Sequence, residues 1–118
     1  MAQTNVTMNV RKISRNVAVI DIKGDINAQA ETPLMDAYTQ ASSGGVSAII
    51  LNFSELEYMN SSGIGLLVTL LIRVQRQKQK LLAYGLSDHY SQIFDLTRLN
   101  EAIGIFATEA DALATLKA

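Results

Sequence analysis

Short apolar runs alternate along this chain with segments in which apolar residues recur at helical spacing. Residues 17–22 form a β-branched run that closes at Lys23-Gly24-Asp25, which predicts a strand followed by a turn. Residues 6–10 alternate apolar and polar side chains, a pattern consistent with a first, peripheral strand. Residues 46–53 form a near-continuous apolar run, which is typical of a central strand covered on both faces.

Helices are predicted between and after these strands. One helix face is formed by Leu34, Ala37, Tyr38 and Ala41, with Thr32 and Pro33 suited to a cap or first turn. The best-defined helix has Ile64, Leu67, Leu71 and Val74 on one face and ends among the cations Arg73, Arg76, Lys78 and Lys80, which we interpret as a solvated helix end. A strand at residues 81–85, a helix capped by Ser87, a strand at residues 103–107 and a helix capped by Thr108 complete the order.

This alternation predicts an α/β fold with right-handed crossovers. We expect a mixed, mostly parallel sheet of four or five strands flanked by about four helices. The chain has 118 residues, 48% of them apolar, and shows no linker or internal repeat, so residues 1–118 are predicted to form a single domain.

Composition narrows the class of function. Ten Lys and Arg nearly cancel 11 Asp and Glu, so net charge favours neither nucleic acid nor an anionic membrane as a direct partner. The absence of cysteine fits an intracellular protein. Residues 1–10 do not resemble a signal peptide, and the apolar stretch 64–72 is too short to span a bilayer. We therefore expect a cytoplasmic protein without membrane insertion.

The segment Asn60-Ser61-Ser62-Gly63-Ile64-Gly65, here called the serine turn, carries the candidate chemistry. It leaves a buried strand and enters a helix, and open α/β sheets place their binding sites at such strand ends. Ser61 or Ser62 can cap the helix while the other hydroxyl points outward, and we expect Ser62 to be the cap. A phosphate on the outward serine would lie at the positive end of the helix dipole. Gly63 and Gly65 cost helix stability, which indicates close approach by a neighbouring loop or a partner.

At these residues the chain resembles the bacterial STAS domains of the anti-sigma factor antagonist family, which have an Asp-Ser-Ser/Thr-Gly-Leu/Ile-Gly turn before a long helix. Three further segments resemble family signatures in order and spacing: Gly24-Asp25-Ile26-Asn27, Leu51-Asn52-Phe53-Ser54 and Ile93-Phe94-Asp95-Leu96. Together the four segments extend over nearly the whole chain.

The resemblance implies binding to an anti-sigma factor that is also a serine protein kinase. It further implies reversible phosphorylation of the first serine of the turn, Ser61, with a phosphatase acting on the modified form. The implied partner-binding residues are Asn27, Asn60, Ser61, Ser62, Gly63 and Ile64. Asn60 stands where the family usually has Asp, and Asn27 where phosphorylatable members often have Asp. Both changes remove a carboxylate near the hydroxyl, which also lessens its repulsion of a phosphate.

Two other functions remain as hypotheses. A constitutive STAS module in a transport or stress-sensing assembly would dock a partner through the serine turn without modification, an alternative supported by Asn27 and Asn60. Separately, both serines could do no more than cap the helix. A small serine hydrolase would need a base, but His89 is the only histidine and no Gly-x-Ser-x-Gly elbow is present. No metal site is expected, because the chain has no cysteine and no second histidine. No dinucleotide cofactor is expected, because Gly63-Ile64-Gly65 lacks the third glycine of a dinucleotide fingerprint, Val68 standing in its place. We therefore predict a binding protein rather than an enzyme, and the sequence leaves its oligomeric state open.

Overall fold

The computed structural model describes residues 5–116 and contains strands and helices in the predicted alternation. The strands are β1 (Val6–Lys12), β2 (Val17–Ile26), β3 (Ala48–Met59), β4 (Lys80–Tyr84) and β5 (Gly104–Phe106). The helices are α1 (Glu31–Ser42), α2 (Ser61–Arg76), α3 (Asp88–Leu96) and α4 (Glu109–Ala114), with 3₁₀ turns at Ala28–Ala30 and Leu99–Glu101. The ends of the predicted domain 1–118, residues 1–4 and 117–118, lie outside the described residues.

The described strands form one mixed sheet of five strands in the order β1-β2-β3-β4-β5. β1 pairs with β2 in antiparallel orientation, whereas β2, β3, β4 and β5 pair in parallel. Each parallel pair is joined through a helix, as the connection between parallel strands requires. The predicted α/β class and the mostly parallel sheet are confirmed.

Two strands run further than their apolar runs indicate. β2 continues to Ile26 and β3 to Met59, so the turn predicted at Lys23-Gly24-Asp25 is wrong. The extension is held by pairing between β2 and β3, with an irregular register between Gly24 and Asp25. Gly24 has a φ of +98°, and a Cβ there would lie 2.1 Å from the carbonyl oxygen of Asn5. The glycine therefore marks an irregularity inside the strand, where two backbones approach closely.

The two faces of the sheet are covered unequally. α1, α2 and α3 pack on one face, where alternate residues of β2 and β3, such as Ile20, Leu51 and Phe53, are almost fully buried. The other face carries a smaller apolar cluster around Val19 and Ile50, covered by α4. The alternation of side chains along a strand assigns these neighbouring positions to opposite layers.

The predicted helix faces agree with burial for α1 and differ in part for α2. All four predicted positions of α1 are buried, and Thr32 and Pro33 lie in its first turn. In α2 the buried residues are Gly63, Leu67, Leu70 and Val74, while Ile64 and Leu71 are half-buried. The buried face of α2 differs from the predicted one because the start of the helix, at Gly63, lies directly against the end of β2. Ser87 and Thr108 cap α3 and α4 as predicted.

None of the helices in residues 5–116 combines the length and the apolar character that crossing a bilayer would require.

Candidate functional site

The serine turn lies at the carboxyl edge of the parallel strands. Ile26 and Met59 are paired at the ends of β2 and β3, so Asn27 and Asn60 leave neighbouring strands side by side. The backbone amide of Asn60 donates to the carbonyl oxygen of Ile26 over 3.3 Å, which ties the turn to β2. The topology thereby brings the two asparagines together at one edge of the sheet, the position at which open α/β sheets bind ligands and partners.

Asn60, and not a serine, caps α2. Its backbone is extended (φ −97°, ψ −175°), and its side-chain oxygen Oδ1 accepts a 2.9 Å hydrogen bond from the amide of Gly63. Ser61 is already the first helical residue, so the cap position falls one residue before both serines. The prediction that Ser62 acts as the cap is therefore wrong. An asparagine supplies the same acceptor oxygen as an aspartate would, without its charge.

Ser61 and Ser62 are both exposed on the first turn of α2. Within residues 5–116 neither hydroxyl takes part in a hydrogen bond. The first amides of an α-helix have no intrahelical acceptor, so the Ser61 hydroxyl lies beside backbone N–H groups that can bind an anion. Because Asn60 performs the capping, both serines keep their hydroxyls available for other contacts.

The two glycines of the turn have different surroundings. Gly63 is buried, and a Cβ there would lie 2.3 Å from the carbonyl oxygen of Ile26 and 2.8 Å from Cγ of Met59. The close approach predicted from the sequence is therefore made at Gly63 by the chain itself. At Gly65 a Cβ would meet nothing within 4 Å. Contact of Gly63 with a partner stays a prediction, and in the free protein this residue seats the helix on β2.

Asn27 and Ile64 flank the serines. Asn27 is half-buried and caps the 3₁₀ turn Ala28–Ala30, its Oδ1 accepting from the amide of Gln29 over 2.9 Å. Ile64 is half-buried and packs against the main core. The side-chain oxygens of both asparagines are thus used to fix backbone turns, which gives the edge around Ser61 a defined shape.

Two aromatic residues of α3 contact β3, the strand that leads into the serine turn. The buried Tyr90 of α3 accepts a 2.8 Å hydrogen bond from the amide of Met59 at its phenolic oxygen. Phe94, one turn later, meets Phe53 edge-on, with ring centroids 6.2 Å apart. The sequence predicted a helix capped by Ser87 but gave no signal that Tyr90 binds the strand end before Asn60. That contact joins residues 31 positions apart, which local periodicity does not report.

A polar network on the α4 face of the sheet contains groups with shifted pKa values. Arg11 pairs with Asp21 at 2.6 Å and with Glu109 at 2.6 Å. Hydrogen bonds from the Arg11 guanidinium hold the pKa of both carboxyls below their usual values. The pKa of Tyr84 is raised to about 12 by burial and by the hydrogen bond that the Tyr84 hydroxyl donates to Glu109. Asn52 donates to Asp21 over 2.7 Å, which extends the network to β3.

This network was not predicted from the sequence, because Arg11 and Glu109 are 98 positions apart. It holds the start of α4 against β1 and β2. Among residues 5–116 there is no group of His, Cys, Asp and Glu side chains arranged to hold a metal ion.

A model of the STAS domain family matches residues 8–112 of the chain. The anti-sigma-B factor antagonist of Listeria monocytogenes is 27% identical over 109 residues, which cover 91% of this chain and 94% of that protein. The anti-sigma-B factor antagonist of Staphylococcus aureus is 24% identical over 86 residues, 73% of this chain and 80% of that one.

Solved structures agree on the fold. The unphosphorylated form of the anti-sigma factor antagonist SpoIIAA superimposes with a TM-score of 0.73 at 22% identity, covering 93% of this chain and 97% of the other. The phosphorylated form of SpoIIAA from Bacillus gives 0.68 at 23% identity, with 94% and 100% covered. An anti-sigma factor antagonist from Mycobacterium paratuberculosis gives 0.78 at 19% identity, with 93% and 92% covered. With the family model extending from β1 to α4, the chain belongs to the STAS domain family.

Proposed function

We propose that this protein is an anti-sigma factor antagonist and that phosphorylation of Ser61 switches its binding. In this proposal the protein captures an anti-sigma factor, itself a serine protein kinase, while Ser61 is free. Phosphorylation of Ser61 by that partner ends the binding, and a phosphatase restores it. The observation that carries the proposal is the exposed Ser61 hydroxyl, which stands at the first residue of α2 while Asn60 supplies the cap.

A phosphate on Ser61 is compatible with the folded domain. Its oxygens would lie near the backbone amides of Ser61 and Ser62, which the Asn60 cap does not use, and at the positive end of the dipole of a 16-residue helix. The cap from Asn60 to Gly63 would stay in place, because it does not use either serine. The modification therefore changes the surface by about −1.5 to −2 charges and leaves the fold intact.

The same phosphate opposes a protein partner on this edge. A partner seated on the serine turn would bury the Ser61 position, and a doubly charged group there would be desolvated and would repel nearby carboxylates. Asn27 and Asn60 would form neutral hydrogen-bonding contacts around it, in place of the carboxylates usual in the family. The proposed activity is therefore that of a cytoplasmic binding protein, without catalytic residues and without direct contact to nucleic acid.

A phosphorylation assay tests the site. Each anti-sigma factor of the serine-kinase type from the same organism is purified and incubated with this protein and ATP. We expect one of them to transfer a phosphate, and mass spectrometry to locate it at Ser61. Ser61→Ala should abolish the transfer, while the matched variant Ser62→Ala should keep it. Equal phosphorylation of the Ser61→Ala variant would refute the assignment.

A binding measurement tests the switch with the same anti-sigma factors. We expect Ser61→Asp to weaken binding at least tenfold, equivalent to about 1.4 kcal/mol, whereas Ser62→Ala stays close to the unmodified protein. Unchanged affinity of Ser61→Asp would contradict the switch and would favour a constitutive STAS module.

A further inference from the structure

The outward face of α2 continues from Ser61 as an apolar stripe. With 3.6 residues per turn, Ser61, Gly65, Val68 and Ile72 lie on one side of the helix, opposite its buried positions. We call Gly65, Val68 and Ile72 the α2 stripe. Val68 is 39% exposed and Ile72 46% exposed, on the face where a surface helix usually carries polar residues. The stripe reaches about 16 Å from Ser61, given a rise of about 1.5 Å per residue.

Gly65 has no role within the described chain that requires a glycine. It lies in the second turn of α2 without a positive φ, and a Cβ would meet nothing within 4 Å. A glycine inside a helix is destabilising relative to alanine. Gly63, by contrast, is required by the contact with Ile26. The open space above Gly65 therefore suits an atom that is absent from the free protein, such as the backbone of a partner.

The charge along α2 indicates the chemistry of that partner. The helix contains Arg73 and Arg76 and no acidic residue, and Lys78 and Lys80 follow it. Among residues 5–116 neither arginine forms an ion pair, and both line a cleft of about 330 Å³ with Tyr38 and Gln77. Carboxylates of a partner would complement this end of the helix.

We propose that the α2 stripe is a protein-docking surface for an apolar partner segment edged by carboxylates, whose backbone passes over Gly65. This proposal rests on the proposed function, because the stripe begins one turn after Ser61. It goes beyond that function by assigning the affinity to residues that phosphorylation does not touch. Phosphorylation of Ser61 then controls binding at one end of a longer contact. Arg73 and Arg76 bind carboxylates of the partner at the other end.

A second copy of the same face is a poorer occupant than an acidic partner. Antiparallel packing of two α2 helices would bring Arg73 and Arg76 to the positive amino terminus of the other helix, and parallel packing would bring the arginines together. A bilayer surface would gain only Val68 and Ile72 from the stripe, with no aromatic side chain among them.

Site-specific crosslinking in the native cells tests the surface whatever the identity of the partner. A photo-reactive residue is placed at position 68 or 72, and at Ile13 as the control. Ile13 is 39% exposed, as Val68 is, but lies beside α4 on the other side of the sheet. We expect positions 68 and 72, but not 13, to crosslink to one protein, and the Ser61→Asp variant to lose that crosslink.

Gly65→Ala supplies a second readout on the partner so captured. The substitution should raise the melting temperature by about 2 to 5 °C, because the helix gains alanine and no clash arises. It should nevertheless weaken binding of the purified partner about tenfold. Arg73→Glu with Arg76→Glu should weaken it further, with the loss diminishing at high salt. A Gly65→Ala variant that binds as well as the unmodified protein would overturn the docking model.

The outcomes separate this inference from the proposed function. A captured partner that is not an anti-sigma factor, but whose binding Gly65→Ala weakens, supports the stripe and contradicts the assignment to an anti-sigma factor. A confirmed anti-sigma factor that binds at Ser61 but gives no crosslink at 68 and 72 refutes the stripe alone. A crosslinked homodimer, or co-sedimentation with anionic lipid vesicles that Arg73→Glu abolishes, would also overturn the assignment to an acidic protein partner.

Discussion

Asn60 determines where α2 begins, and this single residue changes the interpretation of both serines. Its extended backbone ends β3, and its side-chain oxygen closes the first helical turn at Gly63. The serines follow as ordinary first-turn residues with exposed hydroxyls. An uncharged amide thus performs the cap, because capping needs an acceptor oxygen and not a carboxylate.

Removal of the Asn60 side chain should destabilise the domain, whereas removal of a serine hydroxyl should not. We expect Asn60→Ala to lower the free energy of unfolding by about 0.5 to 2 kcal/mol, since the amide of Gly63 loses its partner. Ser62→Ala should change it by less than about 0.5 kcal/mol. Urea unfolding followed by circular dichroism measures both. A larger loss of stability in Ser62→Ala than in Asn60→Ala would show that Ser62 is the cap.

Gly63 and Gly65 form an internal comparison. Gly63→Ala forces a Cβ to within 2.3 Å of the Ile26 carbonyl, so α2 must shift away from β2. We expect a loss of about 1 to 3 kcal/mol in the free energy of unfolding, the usual range for an overpacked site. Gly65→Ala, with open space at the same atom, serves as the control and should show no loss. Equal stability of the two variants would contradict the close approach.

At the level of elements, α4 is attached to the sheet by charge as well as by packing. The helix has only six residues and buries Ala112 against the smaller apolar cluster. Arg11, at the edge strand, bridges Asp21 of β2 and Glu109 at the start of α4. The network therefore joins the first strand to the last helix across the α4 face of the sheet.

Acid should weaken this attachment. The folded-state pKa values of Asp21 and Glu109 lie below the ordinary values of 3.8 and 4.5, so the unfolded chain binds more protons in that range. The stabilisation is fully present above those values and is lost as the pH falls through the lowered pKa values. The free energy of unfolding should therefore decrease as the pH is lowered from about 6 to about 3.

Arg11→Gln should flatten that pH dependence, because both carboxyls then return toward their ordinary pKa values. Arg98→Gln is the matched control. In the unmodified protein Nε of Arg98 lies 3.7 Å from Oε2 of Glu101, and the two side chains are 81% and 67% exposed. Such an exposed pair contributes little. An Arg11→Gln profile as steep as that of the unmodified protein would show that the network does not set the acid response.

At the level of the whole molecule, the sheet separates a well-covered face from a sparsely covered one, and the serine turn lies at the edge where β2 and β3 end. Three helices bury one face of the sheet, and α2 spans it from the turn to its basic end. The proposed switch therefore lies at the edge of a well-packed layer. Its modification is read as a change in surface charge, without rearrangement of the core.

Phosphorylation should accordingly leave stability nearly unchanged. We expect Ser61→Asp, or the phosphorylated protein, to unfold within about 1 kcal/mol of the unmodified form, with any shift toward greater stability because of the helix dipole. Thermal unfolding measures this, and native electrophoresis reports the added charge. Ser61→Ala is the neutral control. A phosphorylated form that loses its cooperative transition would contradict a switch that works at the surface alone.

The sequence by itself determined the order of strands and helices, the α/β class and the position of the serine turn. Apolar periodicity reports which side chains leave water, and that depends mainly on neighbours along the chain. The helix caps at Ser87 and Thr108 were predicted for the same reason, because a cap acts over three residues.

Only the tertiary structure decided which residue caps α2, why Gly63 is buried, and how Arg11 reaches Glu109. Each of these depends on a contact between segments that are distant in sequence: Ile26 with Asn60, which sets where β3 ends, Ile26 with Gly63, and β1 with α4. Such contacts follow from strand pairing and layer packing, which no local pattern encodes. The serine turn was visible in the sequence, but its geometry was set by the strand beside it.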